Sequence, residues 1–177
     1  MTLQKSAAYQ SLVNTPWFSR IRRNHGLEHA TLHVLAKRFS GKSMAGHSDT
    51  KGFWLLGDVP TEEVESAVVE ALNRMKTGEK NLAVHPNCGT NFATAGTMAG
   101  IAGATAMFGV GPRKRDKIDR LALAATLATL ALMLAQPAGL LVQKYFTTSG
   151  DPGNLEVVEI TATQRGKLRA HRIITRG

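Results

Sequence analysis

Two histidines and a glutamate near the start of the chain, His25, Glu28 and His29, have the spacing His-x-x-Glu-His. On a helix, which turns about 100° per residue, the two imidazoles lie about 40° apart, and the carboxylate lies about 60° to the other side. Imidazoles four residues apart bind one zinc ion, and a nearby glutamate serves as general base. The spacing therefore predicts a zinc site with Glu28 as general base, against the alternative of a surface helix with scattered polar residues.

A third helical histidine and a second cluster add candidate ligands. His33 follows one turn later on the same predicted face, which then carries three imidazoles. Further along, the sequence reads HPNCGT, in which His85 and Cys88 have the spacing of two metal ligands on a turn. Cys88 is the only cysteine, which excludes an intrachain disulfide. The predicted metal ligands are His25, His29, His85 and Cys88; the alternative for the second cluster is a tight turn leading into a helix.

Two long stretches without Lys, Arg, Asp or Glu decide the class of protein. They contain residues 92–111 and 121–142, each close to the roughly 20 residues that span a bilayer core. The charged residues 113–120 separate them, so the pattern predicts a transmembrane helical hairpin; the alternative is a buried hairpin in a soluble protein. Gly96, Gly100 and Ala104 form a ridge of small residues on which we expect a neighbouring backbone to approach closely. We also expect Pro137 to kink or end that helix.

The regions on either side of the hairpin show helical and strand patterns. The predicted elements are a helix over residues 19–39, a strand pair over 43–47 and 52–57, a helix beginning at a Thr61 cap and ending at Gly78, a strand over 81–85, and a hairpin of strands over 155–163 and 168–175. The predicted fold class is therefore α+β. An α+β domain of residues 1–90 is followed by the transmembrane hairpin, 91–143, and by a C-terminal β-hairpin, 144–177, that packs on the first domain. Gly26, which costs about 1 kcal/mol inside a helix, predicts a close approach of other atoms to the backbone there.

The two motifs resemble those of two protein families. HGLEH and HPNCGT are similar to a family of predicted metal-dependent membrane enzymes with the pattern HGxEHK and HPxCGTS. Ala30 and Asn91 depart from that pattern, where the family has Lys and Ser. RIRRNHGLEHATLHVL, GFWLLGDVPTEEV and HPNCGTN, over about residues 18–92, more closely resemble a family of unknown function with members in photosynthetic bacteria. Both resemblances imply a membrane protein with His25, Glu28, His29, His85 and Cys88 as its site.

Three functions are compatible with these features. The first is a zinc-dependent, protease-like hydrolase at the membrane surface, with Glu28 as general base. The second is a closed structural zinc site in a membrane-anchored scaffold or assembly factor, because four protein ligands leave no position for water. In the third, the histidines contact a pigment, haem or partner subunit.

Charge and composition bear on partners and location. The net charge of +9, from 22 basic and 13 acidic residues, suits a protein at an anionic membrane surface. The sequence has few aromatic residues among its basic ones, which argues against nucleic acid. We expect the bilayer, together with a membrane protein partner or a second copy, as partners.

The basic 113–120 turn favours external flanking regions by the positive-inside rule. Because the N-terminus has no signal-peptide pattern and the first 80 residues carry 11 basic side chains, we instead expect an inner or plasma membrane protein with cytoplasmic soluble domains.

Overall fold

The protein, seen in a computed structural model that describes residues 6–166 and 168–177, divides into two units. The first unit joins the described residues up to His85 to Lys144–Gly177, at the other end of the chain. The second unit is the intervening segment Pro86–Gln143. The first unit is therefore built from sequence on both sides of the second.

The first unit contains three helices and four strands. Its helices are α1 (Ala7–Val13), α2 (Pro16–Arg38) and α3 (Thr61–Lys76), and its strands are β1 (Ala45–Asp49), β2 (Gly52–Leu56), β3 (Glu156–Arg165) and β4 (Leu168–Arg176). A 3₁₀ turn over Lys80–Ala83 follows α3, and a π-helical turn over Gln143–Thr147 precedes β3. The predicted α+β class is confirmed.

The four strands form one antiparallel sheet in the order β1-β2-β4-β3. β2 and β4 are the inner strands and pair from Gly52 opposite Ile174 to Leu56 opposite Ala170. The register of the β3–β4 pair shifts between Val157 and Glu159. The last strand of the chain is therefore hydrogen-bonded to a strand from its first third.

The core of this unit lies between the sheet and the helices α2 and α3. Alternation along β2 buries Phe53 and Leu55, and the apolar stripe of α3 buries Val64 and Val68, all with no exposed surface. Each such side chain contributes about 1.5–3 kcal/mol by burial. This packing fixes α2, which carries the candidate metal ligands, relative to the sheet.

Two local predictions in this unit are wrong. Thr61 is the first residue of α3 rather than its cap, because Pro60 occupies the N-cap position. Residues 81–85 do not form a strand, since Lys80–Ala83 is a 3₁₀ turn followed by extended backbone at Val84. The short apolar run packs on α2 and buries Ala83, and periodicity alone does not separate such a run from a strand.

The second unit is a pair of packed helices, α4 (Gly89–Ala106) and α5 (Lys114–Val142). At one end of the pair, Gln143 Nε2 donates to Asn91 Oδ1 at 2.7 Å, and the amide of Asn91 donates to the Pro86 carbonyl. The close approach of the helices occurs at Gly139, where an added Cβ would lie 2.5 Å from Asn91 Oδ1. At Gly96 and Gly100 no described atom outside α4's own nearby backbone lies within 4 Å of where a Cβ would stand, so α5 does not pack on that part of the ridge.

One helical stretch in the described part of the chain, Lys114–Thr147, is long and apolar enough to cross a bilayer. Pro137 lies inside α5, which continues to Val142, so the helix does not end at this proline and the alternative of a kink stays a prediction. α4 has 18 residues and a polar first turn. A helical hairpin is present, but its two-span membrane character is not shown.

Candidate metal centre

α2 presents three histidines on successive turns. Pro16 occupies the first turn of the helix, where its missing N–H costs nothing, and the helix continues unbroken through His25, His29 and His33. The ring centroids of His25 and His29 lie 4.4 Å apart, and ligand nitrogens of these two rings lie within 4.8 Å of each other. The predicted first pair of ligands is therefore adjacent in the structure.

Each of these imidazoles has one ring nitrogen beside a backbone carbonyl oxygen. His25 Nδ1 lies 3.0 Å from the Thr147 oxygen, His29 Nδ1 lies 2.8 Å from that of Ala83, and His33 Nε2 lies 2.8 Å from that of Val84. A carbonyl only accepts, so each of these nitrogens carries a proton, and in a neutral ring the other nitrogen carries none. The lone pair then lies on Nε2 of His25 and His29 and on Nδ1 of His33. Metal-bound histidines are commonly held and oriented by such second hydrogen bonds.

His85 adds a fourth imidazole to the cluster from the segment that follows the 3₁₀ turn. Its ring centroid lies 4.8 Å from that of His33 and 5.7 Å from that of His29. Burial, together with the positive charge that His33 and His29 would carry, lowers the pKa of His85 to about 4. His85 is therefore a neutral imidazole at pH 7, the form that binds metals.

Glu28 lies on the side of α2 that faces β1. Its side chain is buried, and Ser48 Oγ donates to Glu28 Oε2 at 2.5 Å. Gly46 allows this approach, because a Cβ at that position would overlap the carboxylate. Burial raises the pKa of Glu28, and the His25 charge and the Ser48 hydrogen bond offset part of that rise. The carboxyl group is thus fixed, buried and electrostatically coupled to a candidate ligand.

Cys88 belongs to the second unit, three residues after His85. It is the N-cap of α4, and the Thr90 backbone N–H donates to its Sγ at 3.4 Å. The role of Cys88 as a ligand stays a prediction that rests on its spacing from His85.

The segment after the second unit supports α2 at its histidine face. Arg22 donates to the carbonyl oxygens of Tyr145 and Thr148, at 3.2 and 2.9 Å, and accepts from the Ser149 N–H through its own carbonyl at 2.9 Å. A Cβ on Gly26 would overlap the Ser149 carbonyl, so the predicted close approach at Gly26 is confirmed. This segment also supplies the Thr147 carbonyl to His25.

Sequence reasoning placed His33 on the ligand face but gave it no role in the ligand set. Its spacing of four residues from His29 was the available signal. The three carbonyl acceptors were not predictable, because backbone atoms of distant segments leave no mark in the sequence.

Comparisons with known proteins identify the family. A family model described as a domain of unknown function, DUF6391, matches residues 20–160. This chain belongs to the DUF6391 family. An uncharacterized protein of Picosynechococcus sp. (strain ATCC 27264 / PCC 7002 / PR-6) is similar to this DUF6391 protein, with 35% identity over 150 residues that cover 79% of this chain and 71% of the relative. No solved structure matches it. The resemblance to a family of unknown function is confirmed, and that to metal-dependent membrane enzymes stays a hypothesis.

Proposed function

We propose that this chain is an integral membrane metalloprotein that binds a zinc ion through His25 and His29 and acts as a protease-like hydrolase. The observation that carries the proposal is the orientation of the two rings. Each directs an N–H to a backbone carbonyl and keeps its Nε2 lone pair, and the two rings are adjacent. Neutral imidazole nitrogen is a preferred zinc ligand, so the residues present fit the metal. By sequence spacing, His85 and Cys88 are the proposed further ligands.

Glu28 is the proposed general base. A bound zinc ion would supply a Lewis acid that lowers the pKa of a coordinated water. Glu28 would accept that water's proton and return it to the leaving group, which requires a carboxylate with a raised pKa. Burial raises the pKa of Glu28 in this direction, and its coupling to His25 shows that it lies near a proposed ligand.

A second candidate function is a structural metal site in a scaffold or assembly factor of a membrane complex. The Ser48 hydrogen bond and the Gly46 contact favour it, because they hold the Glu28 carboxylate against β1. In this role the carboxylate fixes α2 on the sheet and performs no proton transfer. The zinc ion would then join His25 and His29 to the His85–Cys88 segment.

The sheet supports a membrane hairpin with two crossings. β2 and β4 are paired, so the sequences before and after the second unit fold together on one side of any bilayer. This pairing favours an even number of crossings, so we propose that α4 and α5 each cross the bilayer once. Large apolar side chains exposed on α4 and α5 suit contact with lipid; they include Phe92, Ile101, Met133 and Leu134. We propose an inner or plasma membrane location with the first unit in the cytoplasm.

Elemental analysis of the purified full chain in detergent or nanodiscs tests the metal site. We expect zinc to copurify and the substitution His29→Ala to remove it, whereas His47→Ala, at a histidine on β1 outside the cluster, should retain it. If the purified wild-type chain contains no zinc and binds none when zinc is added, both candidate functions are contradicted.

Glu28→Gln separates the hydrolase from the scaffold. For a hydrolase we expect wild-type cleavage of a quenched peptide library, with retained zinc and no cleavage in Glu28→Gln. Zinc binding without cleavage by the wild type, together with a lower melting temperature after chelation, supports the scaffold.

Reporter fusions test the membrane topology. We expect a fluorescent protein fused at either end of the chain to fluoresce and alkaline phosphatase at the same ends to be inactive. Opposite results at the two ends would contradict the paired crossings.

A further inference from the structure

The four imidazoles divide into two pairs. The rings of His25 and His29 are 4.4 Å apart and those of His33 and His85 are 4.8 Å apart, whereas His29 and His85, which connect the pairs, are 5.7 Å apart. A single site would favour similar separations around one centre. The observed spacing instead extends along α2.

The hydrogen-bonded ring nitrogen and the distance along α2 also distinguish His33 from His25. His33 engages Val84 through Nε2, so its lone pair is on Nδ1, the ring nitrogen nearer its own backbone. His25 lies eight residues earlier, about 12 Å along the helix axis. Zinc–nitrogen bonds of about 2.0–2.1 Å keep the nitrogens of one ion only about 3–4 Å apart. One ion therefore cannot bind both His25 and His33.

We propose that His33 and His85 form a second position for a divalent metal ion, distinct from the one at His25 and His29; this inference rests on the proposed function. His33 lies six residues along α2, roughly 9 Å, from the midpoint of His25 and His29 that marks the first position. The imidazole ligands of the second position select zinc, copper or nickel over magnesium or calcium. His85 is then a ligand of the second ion rather than of the first, which keeps His25, His29 and the proposed ligand Cys88.

Zinc titration of the full chain, followed by calorimetry and elemental analysis, tests the stoichiometry. We expect two zinc ions per wild-type chain and one in His33→Gln, whose amide still donates to the Val84 carbonyl. His85→Asn should also bind one ion, and the control His47→Asn should bind two. Circular dichroism checks that each variant is folded.

The outcomes distinguish this inference from the proposed function. A wild-type chain that saturates at one ion, whether or not His33→Gln alters that binding, overturns the second position and leaves the first intact. A chain that binds no ion overturns the proposed function itself.

Electron paramagnetic resonance of the copper-loaded wild-type chain tests the second position without a variant. At two equivalents of Cu²⁺ we expect a spectrum broadened by dipolar coupling, because the two positions lie roughly 9 Å apart along α2. Two magnetically isolated copper signals would overturn the inference.

Discussion

Thr175 Oγ1 donates a hydrogen bond of 2.7 Å to Asn24 Oδ1, and the two residues are 151 positions apart in the chain. Asn24 is fully buried and also donates through Nδ2 to the Asp49 carbonyl at 2.8 Å. One amide thus joins α2, immediately before the first ligand, to both β1 and β4. The position of the histidine face depends on this buried contact.

Asn24→Ala should destabilise the first unit by about 2–4 kcal/mol, since a buried polar group left without its partner costs about 1–3 kcal/mol. Thr175→Val should cost about half as much. Urea unfolding followed by tryptophan fluorescence measures both changes. Thr163→Val, at an exposed position on β3, is the control and should change stability by less than about 0.5 kcal/mol. Equal stability of Asn24→Ala and the control would contradict the role of this amide.

Gly46→Ala should be destabilising because its Cβ would overlap the Glu28 carboxylate. In a Glu28→Ala background the same change should be nearly neutral, since the overlapping atoms are gone. We expect a coupling free energy of about 0.5–3 kcal/mol in the double-mutant cycle, measured by chemical unfolding. Additive effects of the two substitutions would show that Gly46 and Glu28 are not in contact.

Gly26→Ala should lower the melting temperature, although alanine is the better helix former by about 1 kcal/mol. The Cβ would overlap the Ser149 carbonyl and displace the segment that supplies the Thr147 acceptor to His25. Zinc affinity should therefore fall together with stability. Gly103→Ala, where no described atom lies within 4 Å of the Cβ position, is the control and should retain both. A more stable Gly26→Ala variant would refute the contact.

The Asp49–Arg172 ion pair should make stability depend on pH at acid values. Burial acts to raise the pKa of Asp49, but the hydrogen bonds from Arg172 and from the Lys51 N–H outweigh it and lower the pKa. A lowered folded-state pKa gives stability that is present above the ordinary value, about 3.9, and lost as pH falls through the folded value. Asp49→Asn should therefore melt below the wild type at pH 7 and close to it at pH 2–3.

Asp58→Asn provides the control for the acid dependence, because the Asp58 side chain is 85% exposed and its ion pair with Lys42 spans 3.6 Å. Its melting temperature should follow the wild type at both pH values. A constant difference between Asp49→Asn and the wild type from pH 7 to pH 2 would show that the ion pair does not titrate.

Helical periodicity predicted which side chains of α2 share the face of the candidate site. Contacts with residues far away in the chain, which the sequence does not reveal, position those side chains. His25, His29 and His33 share a face because helical periodicity fixes it, and Gly26 marked a close approach because glycine is unfavourable in a helix. The acceptor carbonyls of Ala83 and Thr147 lie 54 and 122 residues from their histidines, and no side-chain pattern marks a backbone oxygen. Glu28 was likewise predictable as a helical residue, whereas its burial against Gly46 depends on the register of β1.

The pairing of β2 with β4 also has a consequence for biosynthesis. A ribosome completes α2, β1 and β2 well before it synthesises β4, the strand that lies beside β2. Until then, one edge of β2 is an open template for aggregation, while α4 and α5 are synthesised. Closure of the sheet thus waits for the last strand of the chain, and truncation before residue 168 would leave β2 without the neighbour that covers its edge.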